Sequence, residues 1–127
     1  MSASAQGGRP AIDRAMLARL TEEDGAAEVA GEVIALFLAD TPAQLDDCRR
    51  AIADGELARL ARLAHGLKGS AWIVGAMPLA DLCAALERDA AGGHVAEPAA
   101  LLEALVVEFE RVRAVLERWS GGIGEAA

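Results

Sequence analysis

The chain of 127 residues has no tyrosine, only two phenylalanines and two tryptophans, a single lysine, two histidines and two cysteines. With 3% aromatics, its core must be built from Leu, Ala, Val and Ile. Segments of strand periodicity and internal repeats are both lacking, which argues against a β architecture. No apolar run reaches the length of a membrane-spanning helix. The opening "MSASAQGGRP" lacks the basic-then-apolar pattern of a secretory leader, so the cytoplasm is the expected location. Cys48 and Cys83 lie far apart inside helical patterns and read as small reduced core residues, neither a disulfide nor a metal pair. Basic residues are outnumbered 12 to 20 by acidic ones, a net charge of −8 that disfavours nucleic acid and anionic membrane as partners.

What is present is helical. Hydrophobic residues make up 54% and charged residues 25%, enough for one globular domain with a buried core, and Ala and Leu are strong helix formers. The sequence predicts a disordered tail over 1–9, a folded domain over 10–120 and a flexible tail over 121–127. A short helix is expected from Pro10 to Leu20 and a turn at "TEEDG". A long helix from about Glu28 to Ala53 carries Ala30, Ile34, Phe37, Leu38, Thr41, Leu45, Cys48 and Ile52 on one face. Pro42 either kinks this helix or, with Thr41 as N-cap, opens a new one; the unbroken phase of the stripe favours the kink. Further helices are expected over Glu56–Ile73, ended by Gly75 as a left-handed residue; from Pro78 to about Ala91; and from near Pro98 to Trp119. Short turns between such helices predict an all-α, antiparallel, up-and-down four-helix bundle, capped at one end by the N-terminal helix.

The chemistry concentrates in "AHGLKGSA". On a helical wheel Leu60, Leu63, Ala64, Leu67, Ala71 and Val74 form the core stripe, and His65 points the other way, into solvent. Gly69 lies one turn on, on the His65 face, at a cost of about 1 kcal/mol relative to Ala. It removes a side chain that would crowd the imidazole. Lys68 adds a flexible ammonium suited to a phosphoryl oxygen. Arg49, Arg50, Arg59, Arg62 and Lys68 outnumber the acidic residues nearby, predicting a local positive field. An exposed imidazole with cleared access and that field can take up a phosphoryl group. Gly66 lies off this face and has no evident role. His94, in "GGHVAEP", has neither a helical platform nor a lysine and reads as an idle surface histidine.

The stretch "LARLAHGLKGSAWIVGA" resembles the motif of histidine-containing phosphotransfer (HPt) domains, approximately A-H-x-L-K-G-[SA]-[SA]-x-x-[VLI]-G-A. Ala64, His65, Leu67, Lys68, Gly69, Ser70, Ala71, Gly75 and Ala76 match. "FLADTPAQLDDCRRAIADGE" and "LADLCAALE" are similar to the family's flanking helices, so the resemblance spans roughly Val29 to Trp119. It implies that His65 is the phosphoacceptor through Nε2. It also implies that Lys68 steadies the phosphoryl group, that Gly69 leaves room for the partner, and that Gly75 makes the turn. The implied partners are response-regulator receiver domains and a hybrid sensor histidine kinase. Mg²⁺ would belong to the receiver and no metal or cofactor to this chain, a monomeric carrier without turnover of its own. The other reading is a non-catalytic helical adaptor that sequesters a receiver.

One position departs from the family pattern: the residue seven after the histidine, often small, is Trp72. Val33 and Leu36 point opposite to the core stripe of their helix, with Leu36 roughly level with Trp72 and Gln44 with His65. Val33, Leu36 and Trp72 then form a docking patch with Asp40 and Gln44 on its rim and Arg62 beside His65. Alternatively the N-terminal helix covers the patch through Ile12, Met16 and Leu20.

Overall fold

The computed structural model describes residues 9–20, 26–93 and 96–126. The expected "TEEDG" turn, His94 and the tail before Arg9 lie outside these residues. Five helices are formed: α1 (Arg14–Arg19), α2 (Ala26–Ala53), α3 (Leu57–Ile73), α4 (Met77–Ala91) and α5 (Ala96–Ala126). There is no strand among the described residues. Helices α2 to α5 pack in a closed ring, each against its neighbours in sequence and α5 back against α2. The expected bundle is the one observed.

Among the described residues a left-handed glycine follows each of α2, α3 and α4: Gly55 (φ 69°), Gly75 (φ 78°) and Gly93 (φ 80°). At the end of α3, Gly75 N–H donates to Trp72 O (3.0 Å) and Ala76 N–H to Ala71 O (2.8 Å). These are the paired bonds of a Schellman stop, which satisfy carbonyls the helix would otherwise leave bare. The same pair closes α2 through Gly55 and Glu56, onto Ile52 O and Ala51 O.

Helix α2 runs unbroken across Pro42. The Thr41 hydroxyl donates back to Phe37 O (2.6 Å) and is buried, so Thr41 is not an N-cap and the two-helix alternative falls. The core is aliphatic as expected. Ile34, Leu60, Leu79, Leu86, Leu105, Val112 and Leu116 are all but fully buried, each worth roughly 1.5–3 kcal/mol over an exposed position. Phe37 and Phe109 meet at 5.9 Å between ring centroids.

Three boundaries differ from expectation. Helix α1 begins at Arg14 rather than Pro10, because Asp13 caps it, its carboxylate accepting from Ala15 N–H (3.0 Å) and Met16 N–H (3.2 Å). Arg9, assigned to the tail, is fastened to the bundle: its guanidinium pairs with Asp81 (2.7 Å) and its carbonyl accepts from Arg111 (2.6 Å). Helix α5 does not stop at Trp119 but continues through Ala126. Glycine in a helix costs about 1 kcal/mol, a penalty that does not act as a stop the way proline does, and no proline follows Trp119.

Helix α1 sits on the α3–α4 turn as an end cap. Asp13 N–H donates to Gly75 O (2.7 Å), and Ile12 and Leu17 are buried. A Cβ on Gly75 would stand 2.9 Å from Asp13 O and 3.3 Å from Met16 Cβ. Glycine is therefore required twice there, by its φ and by the close approach of α1.

Candidate functional site

His65 lies midway along α3 on the face opposite Leu60, Ala64, Leu67 and Ala71, all buried. Its side chain is 68% exposed. The ring is nevertheless held. Its Nδ1 lies 3.0 Å from Glu87 Oε2 on α4, and the other Glu87 oxygen accepts from Lys68 Nζ at 2.8 Å. A carboxylate is an acceptor only, so the proton of the neutral ring is on Nδ1 and the lone pair on Nε2. Nε2 is then the nitrogen left for another molecule. The Lys68 ammonium foremost, and the imidazole, hold the Glu87 carboxyl below the usual carboxylate value against its partial burial.

Glu87 is the residue that sequence reasoning missed. It lies inside "LADLCAALE" but was given no role. The signal was there in the hairpin count: Gly75 turns the chain, His65 stands ten residues before it and Glu87 twelve after. Antiparallel helices rising at the same 1.5 Å per residue bring those positions level.

Lys68 is where the motif places it, beside the ring, but it is tied to Glu87 rather than free. An ammonium has three protons, so two remain for phosphoryl oxygens. Gly69 and Gly66 are both exposed, and a Cβ on either would meet nothing within 4 Å. Packing within the chain demands neither glycine. The space above them is open to another molecule.

The expected positive field is largely cancelled. Arg49 pairs with Asp46 (2.9 Å), Arg50 with Asp47, and Arg59 with Glu56 (3.3 Å). Each is an i,i+3 pair that spacing, as opposed to a charge count, would have revealed. Arg62 has no ion pair among the described residues; with Ala61 and Glu87 it lines a shallow open pocket beside His65.

Val33, Leu36, Asp40 and Gln44 line one groove between α2 and α3, facing Ser70 and Ile73. Trp72 is not in this groove. It stands two turns on from His65 along the same ridge of α3. Leu36 (61% exposed) and Trp72 (52%) are not covered by α1, whose apolar residues are committed to the Gly75 turn. The covered-patch alternative therefore does not hold for these two residues.

Cys48 and Cys83 are buried free thiols, as expected. Burial pushes Cys48 up to about 11 and Cys83 up to about 12, so both are protonated and inert at neutral pH. Among the described residues no three His, Cys, Asp or Glu side chains converge as a metal site, and no helix is long and apolar enough to cross a membrane.

Fold and site together define a class: an all-helical bundle displaying one carboxylate-oriented imidazole on a helix face swept clear by glycine. Residues 32–118 match the family model of the Hpt domain, and the chain belongs to that family of histidine phosphotransfer proteins of phosphorelays. It is similar to the crystal structure of histidine-containing phosphotransfer protein B (HptB) from Pseudomonas aeruginosa PAO1. The identity is 28% and the TM-score 0.83, over 88% of this chain and 96% of that one. No similar protein is found among curated sequences.

Proposed function

We propose that His65 carries a phosphoryl group between the aspartates of receiver domains. The observation that carries this reading is the ring itself, exposed, with Nδ1 engaged by Glu87 and Nε2 available. In the forward step the Nε2 lone pair attacks the phosphorus of a receiver's aspartyl phosphate. The N–P bond forms, the P–O bond to the aspartate breaks, and the carboxylate leaves with its electron pair. The ring keeps its Nδ1 proton and becomes cationic, and Glu87 lies where that charge develops. Lys68 offers its free protons to the phosphoryl oxygens. Return to a second receiver is the same step reversed. Mg²⁺ and the acidic pocket are contributed by the receiver in this reading, and the chain by itself turns nothing over. The receiver docks over Gly69 and along the α2–α3 groove, touching Val33, Leu36, Asp40, Gln44 and Trp72, with Arg62 beside the phosphoryl group.

The test is incubation with a phosphorylated receiver, followed by acid-lability analysis of the transferred label. Wild type is expected to gain an acid-labile label and His65→Gln none, whereas Gly69→Gln should block transfer with a normal helical spectrum. Labelling of His65→Gln at the wild-type rate would overturn the assignment. An adaptor that merely sequesters a receiver would bind it and take no label.

A further inference from the structure

Five large apolar side chains are exposed among the described residues: Val29, Leu36, Trp72, Ile73 and Val107. Val107 stands alone on α5. The other four lie on α2 and α3, on the side of the groove that runs away from His65. An exposed indole is an unusual surface residue. It combines a large contact area with few rotamers to freeze, and tryptophan is the residue most enriched among interface hot spots. Trp72 contributes nothing to the observed aromatic or cation–π pairs, which involve Phe37, Phe109 and Arg113.

The charges around this apolar surface are ordered. Asp40 is exposed and lines the groove opposite Ser70. It has no ion pair among the described residues, whereas Asp46, Asp47 and Glu56 nearer the turn are each neutralised by an arginine. Exposed Glu32 lies one turn before Leu36 and is likewise unpaired among the described residues. Arg62 is on the other side of His65. Along this face the order is therefore Arg62, then His65 with Lys68 next to it and tied to Glu87, then unpaired Asp40 across the groove on α2 at the level of Ser70, then the apolar ridge. Ser70 is roughly 7 Å and Trp72 roughly 10 Å past His65 at 1.5 Å per residue.

We propose that Trp72 and Asp40 select which receiver this chain serves. The preferred receiver carries an apolar recess for the indole, edged with Lys or Arg facing Asp40 and Glu32. This rests on the phosphotransfer reading and adds the chemistry of its partner. The polarity also fixes orientation. A receiver's acidic, phosphorylated pocket is drawn to the Arg62 side and its basic edge to the Asp40 side, so only one docking direction satisfies both. Complementary charge of this kind discriminates between partners and speeds encounter, and its effect falls with salt. The apolar ridge supplies affinity that salt does not remove.

The experiment measures transfer from each of a panel of purified, phosphorylated receiver domains of the source organism to wild type, Trp72→Ala, Asp40→Lys and Val107→Ala. Receivers with a basic edge should be the best donors to wild type. Trp72→Ala should raise the half-saturating receiver concentration roughly thirtyfold with a much smaller change in the saturating rate, as loss of a hot spot does. Asp40→Lys should weaken the basic-edged receivers about tenfold at low salt, less at high salt, and move acidic-edged receivers up the ranking. Val107→Ala should match wild type. Wild-type half-saturation and ranking in both Trp72→Ala and Asp40→Lys would overturn the proposal while leaving phosphotransfer intact. Wild type taking no label from any receiver would overturn both, through the reading beneath.

Discussion

Replacing Glu87 by alanine should loosen His65, the proposed phosphoacceptor, without unfolding the bundle. Glu87 is partly exposed and sits at the α3–α4 surface, touching His65 at 3.0 Å and Lys68 at 2.8 Å. Two unit charges about 4 Å apart attract by about 1 kcal/mol in water and about 4 kcal/mol at the dielectric of a protein surface. His65 is 68% exposed, so the lower part of that range applies, about 1–2 kcal/mol once solvent screening is counted. In the proposed transfer that energy is felt most as the ring turns cationic. The expected result for Glu87→Ala is transfer slowed roughly fivefold to thirtyfold, since each 1.4 kcal/mol is tenfold. Ring-nitrogen NMR supplies the readout that a merely structural role would not move. Wild type should carry its proton on Nδ1, and Glu87→Ala should populate both tautomers. Glu87→Gln retains an acceptor for Nδ1–H and should preserve the tautomer while losing the charge. A wild-type ring with its neutral proton on Nε2 would refute the reasoning, as would unaltered rate and tautomer in Glu87→Ala. The pH dependence has a definite sign. The Glu87 carboxyl is held below its ordinary value, so its contribution to stability is present above that value and is lost as pH falls through the lower, folded one.

Two further substitutions test the fold that holds this site. Gly75→Ala puts an L-residue at φ 78° and a Cβ 2.9 Å from Asp13 O, which forces α1 from its seat. Left-handed strain and the lost Asp13–Gly75 bond together cost about 2–4 kcal/mol, seen in a thermal melt as a fall of roughly 10 °C; an unchanged melt would show that α1 does not bear on that turn. Glu108 is buried on α5, with Oε1 accepting from Arg111 (2.7 Å) and Oε2 without a hydrogen-bond partner among the described residues, and burial pushes its carboxyl above the ordinary value. The folded state thus binds the proton more readily than the unfolded one, and this contribution to stability fades as pH rises through the raised value. Glu108→Gln should flatten stability against pH above the ordinary carboxylate value; the same dependence of denaturant midpoint on pH in both proteins would contradict it.

The helices, their order and the turns at Gly55 and Gly75 were legible in sequence because each rests on local physics. The 3.6-residue stripe marks each buried face, and Gly55 and Gly75 mark where a chain of L-residues can reverse. The same locality put His65 outside: with Leu60, Ala64, Leu67 and Ala71 committed to the core, the imidazole was left on the outer face of α3. Even the pairing of Arg49, Arg50 and Arg59 with acids three residues before them was readable, though a count of charges concealed it. The start of α1 and the docking of Arg9 were not readable. Asp13 caps a helix only because the Gly75 turn receives it, and Arg9 is held by Asp81 and Arg111 from two other helices.

Sequence by itself put the His65 imidazole on the outer face of α3, with Gly69 one turn on from it and Lys68 beside it. Only the tertiary structure decided how that residue is held. Glu87 meets His65 across 22 positions because two antiparallel helices of equal rise lie side by side. That one carboxylate fixes the proton on Nδ1, leaves Nε2 free, and binds the only lysine in the chain, a contact between helices that no periodicity within either of them encodes.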